Sequence, residues 1–333
     1  MEYRHLGNTG LKISCIALGT QTFGWGADEK TAFALADLYA ENGGNFFDTA
    51  NIYNSGVSET MLGAWLKARG MRHKRVVASK VFFPTGEGPN ESGLSRKHIF
   101  QSIDESLSRL NTDYIDLYQV HCWDSSTPLE ETLCALNDLV RTGKVRYLGA
   151  SNYSPSHLQK ALMNGQLRSW DTFVSLQAEY SLIVRSTEWE LLPLCAEEGI
   201  GFLAWSPLAG GWLTGKYRRG KNPPPESRAG RGDRWDDLPE QRAGELTWRV
   251  IDALVSLGEE RGVPPSQVAL NWLLKKKGVT APIVGARTVE QLRQNIDCTL
   301  WSLSEEEEKR LDSASEIPLP YPYRFIERYT RKR

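Results

Sequence analysis

Residues 45–53 of the chain read NFFDTANIY. The apolar Phe46 and Phe47 lead directly into Asp48, and Tyr53 follows five residues later. An apolar run that ends in a single acid is typical of a buried strand that delivers a carboxylate to the rim of a sheet. Taken alone, the stretch also fits a structural role in which Asp48 caps the next turn and Tyr53 packs into the core.

Two later stretches repeat the pattern of an apolar run that ends in a reactive side chain. Residues 76–80 read VVASK and end in Lys80, and residues 115–121 read IDLYQVH and end in His121. A parallel sheet with these strand ends would gather an acid, a lysine and a histidine around Tyr53. A neighbouring ammonium lowers the pKa of a phenol, a carboxylate holds the ammonium, and a histidine can hydrogen-bond a substrate carbonyl. The pattern predicts a proton-transfer site.

These four residues, Asp48, Tyr53, Lys80 and His121, resemble the catalytic tetrad of the aldo-keto reductase superfamily in order and spacing. The resemblance extends over nearly the whole chain. It is closest to the branch that includes the potassium-channel β subunits, as judged from GLSRKHI at residues 93–99 and WSPL at residues 205–208. With all four positions filled, a catalytic role is favoured over a structural one.

Length and charge narrow the class of protein. A chain of 333 residues suits an eight-stranded α/β barrel with insertions. The 40 Lys and Arg residues nearly balance the 41 Asp and Glu residues, which gives a net charge of -1. Nucleic-acid-binding proteins normally carry a basic excess, so nucleic acid is not an expected partner.

The cysteines and the N-terminus indicate the cellular compartment in which the protein is expected. Five cysteines without CxxC spacing argue against a disulfide framework or a metal site, and they fit a reducing cytoplasm. The N-terminus shows no signal peptide, and no apolar stretch is long enough to span a bilayer. We therefore expect a cytoplasmic protein without a metal or a membrane partner.

Strand and helix patterns alternate along the chain and predict an α/β fold, a (β/α)₈ TIM barrel that forms one domain over residues 1–333. Residues 1–12 suggest a hairpin, which the resemblance places under the barrel floor, and Ile13–Leu18 is predicted as the first barrel strand. Residues 208–244 lack apolar periodicity and are predicted to form a long surface loop after strand seven. The tail, about 318–333, is either a poorly ordered terminus or a docking segment for another subunit.

Hydride chemistry requires a carrier because no side chain supplies a hydride. The dinucleotide fingerprint GxGxxG is absent, since Gly24-Trp25-Gly26 has no third glycine, and a Rossmann domain is not supported. Strand ends offer another nicotinamide site. The resemblance implies that Ser151, Asn152, Gln177 and Trp205 hold the nicotinamide. Thr20 at the end of the first strand, and Asp48, complete this part of the predicted cofactor site.

The rest of a cofactor site is predicted after the last two barrel strands. A glycine-containing turn and basic loop residues suit a pyrophosphate, and the predicted contacts are Ser206, Pro207, Leu208, Gly210, Lys216 and Arg228. Gly285 and Arg287 precede a helix N-terminus, which suits a 2′-phosphate and favours NADPH over NADH. The resemblance implies adenosine contacts from Gln291, Gln294 and Asn295, although an acid is common at position 294 in the branch.

These observations predict an NADPH-dependent reductase of aldehydes or ketones in which Tyr53 donates the proton. A redox-sensing regulatory subunit that binds NADP(H) with little turnover is the main alternative. A barrel hydrolase that uses Asp48 or Glu179 lacks the necessary carboxylate pair. The resemblance suggests small carbonyl substrates, methylglyoxal among them, and assemblies of tetramer size or larger. The aromatic residues that either line the substrate pocket or pack in loops are Trp25, Phe82, Phe83 and Trp123.

Overall fold

A computed structural model describes residues 1–227, 230 and 242–330 of the chain. A two-stranded antiparallel hairpin, β1 (Tyr3–His5) and β2 (Lys12–Ser14), precedes a closed barrel of parallel strands. Each barrel strand pairs with the next along the chain, and the last pairs with the first. Within the described residues there are eight barrel strands, β3 to β10: Ala17–Gly19, Phe46–Asp48, Val76–Val81, Ile115–Val120, Val145–Ser151, Phe173–Glu179, Gly201–Trp205 and Val279–Val284. The prediction of a (β/α)₈ barrel is confirmed.

Helices connect the strands and cover the outside of the barrel. Several begin at polar side chains that accept a hydrogen bond from the first turn, among them Asp28, Ser95 and Ser304. The helices of the described chain, α1 to α11, are Glu29–Glu41, Val57–Arg69, Arg96–Leu110, Leu129–Arg141, Pro155–Arg168, Leu191–Glu197, Glu245–Arg261, Pro265–Lys275, Val289–Asp297, Glu305–Ala314 and Tyr323–Tyr329. None of these helices is long and apolar enough to cross a membrane.

The apolar side chains form two layers because neighbouring residues of a strand face opposite sides of the sheet. In β4, Phe47 belongs to the layer between the strands and the helices, and Phe46 belongs to the cluster inside the barrel. In β6, Tyr118 and Leu117 divide in the same way. The inner layer fills the lower barrel, so the polar residues at the strand ends rest on a packed base.

The first barrel strand is shorter and begins later than predicted. Ile13 and Ser14 belong to the hairpin, because Ile13 pairs with Arg4 and Ser14 pairs with Tyr3. The barrel strand is Ala17–Gly19. The sequence alone does not show where the hairpin ends and the barrel begins, because the apolar residues on both sides of the bend are buried.

The hairpin covers the N-terminal end of the barrel. Leu6 is fully buried within the cluster inside the barrel. Gly7 lies so close to the neighbouring loop that an added Cβ would be 2.5 Å from the carbonyl oxygen of Gly199, and its φ is +57°. Only glycine fits this close approach with a positive φ. The predicted position of the hairpin, under the barrel floor, is confirmed.

Two predictions for the C-terminal part are revised. The segment after β9 begins with a 3₁₀ helix, Ala209–Thr214, and Trp212 and Tyr217 are buried, with their rings stacked 4.5 Å apart. This part is packed and is not a surface loop. The tail contains helix α11, and the ring of Tyr323 stacks on Trp189 at 5.9 Å. Residues 323–329 are therefore helical where a poorly ordered terminus was one of two expectations, and the docking alternative stays a prediction.

Candidate active site

A cavity of about 520 Å³ opens where the C-terminal ends of the barrel strands meet the following loops. Its volume lies within the range of small-molecule pockets, roughly 300–1,000 Å³. In barrels of this type, chemistry takes place at this end. The predicted site residues that line it are Asp48, Tyr53, His121, Ser151, Asn152, Gln177, Trp205, Ser206, Pro207, Leu208, Gly210, Lys216, Gly285, Arg287, Gln291, Gln294 and Asn295.

Lys80 lies beneath the cavity and connects the acid to the tyrosine. Its ammonium is completely buried, and Nζ donates to Asp48 Oδ2 at 2.6 Å and to the Tyr53 hydroxyl at 3.3 Å. A third bond reaches the carbonyl oxygen of Thr49 at 3.0 Å. Burial opposes the charge on Lys80, but the electrostatic attraction of Asp48, and then of the Tyr53 oxygen, outweighs it, and the pKa of Lys80 is raised. A permanent positive charge therefore touches the phenol oxygen.

The second oxygen of Asp48 is held by two amides. Oδ1 accepts from Gln177 Nε2 at 2.9 Å and from Gln119 Nε2 at 3.2 Å. These bonds and the ammonium supply three donors to one buried carboxylate. Charged groups are retained inside proteins only when they are paired and hydrogen-bonded in this way.

His121 reaches the cavity from the end of β6 and is nearly enclosed. Its ring contacts Phe83 at 4.8 Å and Tyr53 at 5.9 Å, both edge-on. Burial, and secondarily the charge of Lys80, lower the pKa of His121 well below 6.5. The imidazole is therefore neutral at physiological pH. In the described structure its Nδ1 is buried without a hydrogen-bond partner.

Asn152 links the fifth and seventh barrel strands around the cavity. Its Nδ2 donates to the carbonyl oxygen of His121 at 2.9 Å and to Ser151 Oγ at 3.1 Å, and its Oδ1 accepts from Trp205 Nε1 at 3.1 Å. The backbone of Asn152 has a positive φ of 54°, which asparagine tolerates better than most residues. Both amide protons are used, so the side chain fixes the indole of Trp205 and retains only acceptor capacity for a ligand.

The turn after β9 has the form of an anion site. Ser206, Ala209, Gly210 and Gly211 all have positive φ angles. Successive backbone N–H groups in such conformations form concavities that bind anions. The ammonium of Lys216 lies against this turn, since a Cβ added to Gly211 would be 2.5 Å from Lys216 Nζ.

The distal end of the cavity is formed by the end of β10 and the start of α9. The backbone N–H of Arg287 donates to Gln291 Oε1 at 3.0 Å, and its guanidinium donates to the carbonyl oxygen of Glu226 at 3.1 Å. Gly26 packs against the Arg287 side chain, and a Cβ there would be 2.7 Å from Arg287 Cδ. Gln294 donates to Glu290 at 2.9 Å. The guanidinium is thus held at the rim by two loops.

Thr20 does not reach the cavity. It is fully buried, and its hydroxyl bonds the carbonyl oxygen of Asp48 at 3.1 Å and the Ser58 hydroxyl at 2.8 Å. The chain turns after β3, so Gln21 and Thr22 line the cavity instead. The structure therefore does not place Thr20 among the residues that line the cavity, where a cofactor contact was predicted. Arg228 lies outside the described residues.

The predicted aromatic pocket is only partly present. Trp25 and Phe83 line the cavity, whereas Phe82 and Trp123 do not. Trp123 stacks on His157 at 3.9 Å, away from the cavity. Among the described residues, no group of three or more His, Cys, Asp or Glu side chains is placed to hold a metal ion.

Besides Gln21 and Thr22, the sequence interpretation missed Gln119, which lies beneath the cavity and contacts site residues. It contacts Asp48 and Gln177, yet it lies inside an apolar strand two residues before His121. The sequence does contain one indication of this role. Gln119 lies two residues before His121, and alternate residues of a strand face the same side of the sheet. A polar residue on the inward face of a buried strand normally has a specific partner.

Comparisons with known proteins agree with the fold. The aldo/keto reductase family profile matches residues 15–316. The uncharacterized oxidoreductase YrpG of Bacillus subtilis is 43% identical over 316 residues, which cover 92% of this chain and 93% of YrpG. Aldo-keto reductase AFTS1 of Alternaria alternata is 37% identical, with 94% and 91% covered. A probable voltage-gated potassium channel subunit beta of Arabidopsis thaliana is 36% identical, with 89% and 90% covered. The chain therefore belongs to the aldo/keto reductase family of oxidoreductases.

Proposed function

We propose that the protein reduces aldehydes or ketones to alcohols with NADPH as the hydride donor. The observation that carries the proposal is the position of Lys80, whose Nζ contacts both Asp48 Oδ2 and the Tyr53 hydroxyl at the cavity floor. The family relation makes an oxidoreductase the expected class. A phenol that touches a buried ammonium is suited to proton transfer at a carbonyl oxygen.

The shape and donors of the cavity fit a nicotinamide dinucleotide. Trp205 offers an aromatic face at one end, and Ser151 and Gln177 lie beside it. The turn of positive-φ residues with Lys216 suits the pyrophosphate, and Arg287 suits the 2′-phosphate that distinguishes NADPH. When bound, NADPH supplies the hydride. Gln291, Gln294 and Asn295 would contact the adenosine.

In this proposal, Tyr53 gives its proton to the carbonyl oxygen of the substrate. The ammonium of Lys80 stabilises the negative charge that forms on the phenol oxygen. Asp48 keeps the ammonium in position through its 2.6 Å bond. Such positioned proton donors contribute about 10²–10⁴ in rate.

His121 orients the same carbonyl as a neutral hydrogen-bond donor. The lowered pKa leaves one proton on the ring. Nδ1 is buried without a partner in the described chain, and an unpaired buried N–H is less favourable than an unpaired lone pair. The proton therefore belongs on Nε2, which can then donate to a bound carbonyl.

The alternatives fit the geometry less well. A hydrolase needs a free carboxylate pair, but Asp48 is bound to Lys80 and Glu179 is paired with Arg242 at 2.8 Å. A redox-sensing subunit needs cofactor binding but little turnover, and the presence of His121 beside Tyr53 favours turnover. The five cysteines are all free, which fits a cytoplasmic location.

In the first experiment, the protein is mixed with NADPH and with each of a panel of short and aromatic aldehydes, and the decrease in NADPH absorbance is followed. We expect many turnovers per protein molecule. Tight NADPH binding with a single slow oxidation per chain would instead support the sensor function. An absence of NADPH binding would contradict the cofactor assignment.

Tyr53→Phe tests the proton donor without changing the shape of the cavity. We expect turnover to fall by about 10²–10⁴, because only the hydroxyl is removed. The dissociation constant of NADPH, measured by calorimetry, should change little. Tyr153→Phe is the matched control, since the Tyr153 hydroxyl is buried without a partner in the described structure and does not line the cavity. Near-normal turnover in Tyr53→Phe would contradict the assignment.

A further inference from the structure

Gln119 occupies a central place inside the barrel. In β6 it is level with Lys80 of the preceding strand and with Gly149 of the following one. It shares the inward face with Leu117, which belongs to the inner apolar cluster, and it is completely buried. A fully buried polar side chain at this level must find its partners inside the barrel.

The neighbouring strand leaves room for this side chain. A Cβ added to Gly149 would lie 3.0 Å from Gln119 Cγ and 2.6 Å from Ser175 Oγ. The absence of a side chain at Gly149 lets Gln119 extend across β7 to Gln177 on β8. The glycine and the glutamine therefore form one packing unit.

The bonds around Asp48 fix the orientation of both amides. A carboxylate only accepts hydrogen bonds, so Gln119 and Gln177 must each direct their NH₂ group toward Oδ1. The second Nε2 proton of Gln177 goes to Gln119 Oε1 at 3.2 Å. Both protons of the Gln177 amide are then committed to the barrel interior.

This arrangement sets what Gln177 can offer to a ligand. Gln177 lines the cavity, and its remaining polar atom is Oε1. Within the part of the chain that the structure describes, no donor reaches this oxygen. The side chain is therefore an acceptor on its cavity side, and it suits a ligand group with an N–H donor, such as a carboxamide.

We propose that Gln119 is a positioning residue that fixes Gln177 as an acceptor for the carboxamide N–H of the nicotinamide. It does so by binding Gln177 and Asp48 at the same time, and it couples the cofactor end of the site to the buried acid. The proposal rests on the nicotinamide cofactor assigned above. It assigns Gln119 no contact with substrate or cofactor.

The test compares two probes that differ only at this group. NADP⁺ carries a carboxamide, whereas its 3-acetylpyridine analogue has a methyl group in place of the NH₂ and keeps the carbonyl. Calorimetry gives the dissociation constant of each for the wild type, Gln119→Leu, Gln119→Met and Gln177→Ala. Two apolar replacements are used because either one alone can disturb packing, and circular dichroism checks the fold. Ser175→Ala, next to Gly149, controls for a general disturbance of the inner layer.

For the wild type we expect NADP⁺ to bind about five- to tenfold more tightly than the analogue, which corresponds to one hydrogen bond. The preference for NADP⁺ over the analogue, taken as the ratio of their dissociation constants, should fall in both Gln119 variants toward the ratio measured for Gln177→Ala. It should persist in Ser175→Ala. A wild-type preference retained in the Gln119 variants overturns the positioning role. Equal binding of the two probes by the wild type overturns the acceptor assignment of Gln177. If neither probe binds the wild type, the proposed function itself fails.

Discussion

The ring of His121 is held neutral by its surroundings, and this has a consequence for stability. Its pKa lies well below 6.5 in the folded chain, because of burial and then of Lys80. In the unfolded chain the imidazole gains a proton as the pH falls through about 6.5, while the folded chain does not. The free energy of unfolding therefore decreases with falling pH in this range, by at most about 1.4 kcal/mol per pH unit for this group.

We expect His121→Gln to weaken this acid sensitivity. Urea unfolding at about pH 7, 6 and 5 measures the slope. His98 also has a lowered pKa, mainly through burial, so a residual slope should remain in the variant. His73→Gln, at an exposed site, is the control and should behave as the wild type. Equal slopes in His121→Gln and the wild type would show that His121 takes up its proton over the same pH range in the folded and the unfolded chain.

Arg287 decides the preference between the two dinucleotides in our proposal. Its guanidinium is tied to the carbonyl oxygen of Glu226 and packs on Gly26 at the cavity rim. Arg287→Ala should weaken NADPH binding about 10- to 100-fold, the loss expected for a charge-assisted contact, and leave NADH binding nearly unchanged. Calorimetric titration with both cofactors measures this. Arg293→Ala, on the exposed side of α9, the helix that follows Arg287, is the control. An equal loss for NADH would exclude a 2′-phosphate contact.

Among the elements, the packing of β6 against β7 depends on the glycine at position 149, which has no side chain. Gly149→Ala would place a methyl group 2.6 Å from Ser175 Oγ and 3.0 Å from Gln119 Cγ. We expect a loss of about 1–3 kcal/mol in the free energy of unfolding, since inserted atoms force a packed interior to shift. Turnover should fall as well, because Gln119 holds Asp48.

Denaturant unfolding and steady-state kinetics measure both effects of Gly149→Ala. Gly10→Ala is the matched control, because no atom lies within 4 Å of an added Cβ and its φ is unstrained. The control should change neither quantity. A fully active and stable Gly149→Ala protein would show that the inner layer accommodates the methyl group.

The positions of the strand ends could be predicted, but the inner layer could not. Asp48 and His121 follow apolar runs, and parallel strands bring such ends to one rim. The close approach of Gln119 to Gly149 depends on the register between strands, which a single sequence does not reveal. Ser58 illustrates the same limit: it lies in the first turn of α2, and its buried hydroxyl bonds Thr20 and Thr49 from two different strand ends.

At the scale of the whole molecule, stability and chemistry are located at opposite ends of the barrel. Leu6 is fully buried at the floor, within the cluster inside the barrel, and it does not line the cavity. Leu6→Ala should lower the free energy of unfolding by about 2–5 kcal/mol, the cost of a large-to-small change in a core. The kcat of the folded protein should stay near the wild-type value.

Leu300→Ala is the control for this truncation, because the Leu300 side chain is 79% exposed. It should leave the free energy of unfolding within about 0.5 kcal/mol of the wild-type value. A large fall in kcat for Leu6→Ala below its unfolding transition would show that the floor and the site are coupled.

The hairpin also restricts the direction from which a ligand reaches the site. Because Leu6 and Gly7 close one end of the barrel, a ligand that reaches Tyr53 approaches from the opposite end, where the cavity opens. The hairpin thereby fixes the direction of approach, although no residue of its two strands lines the cavity.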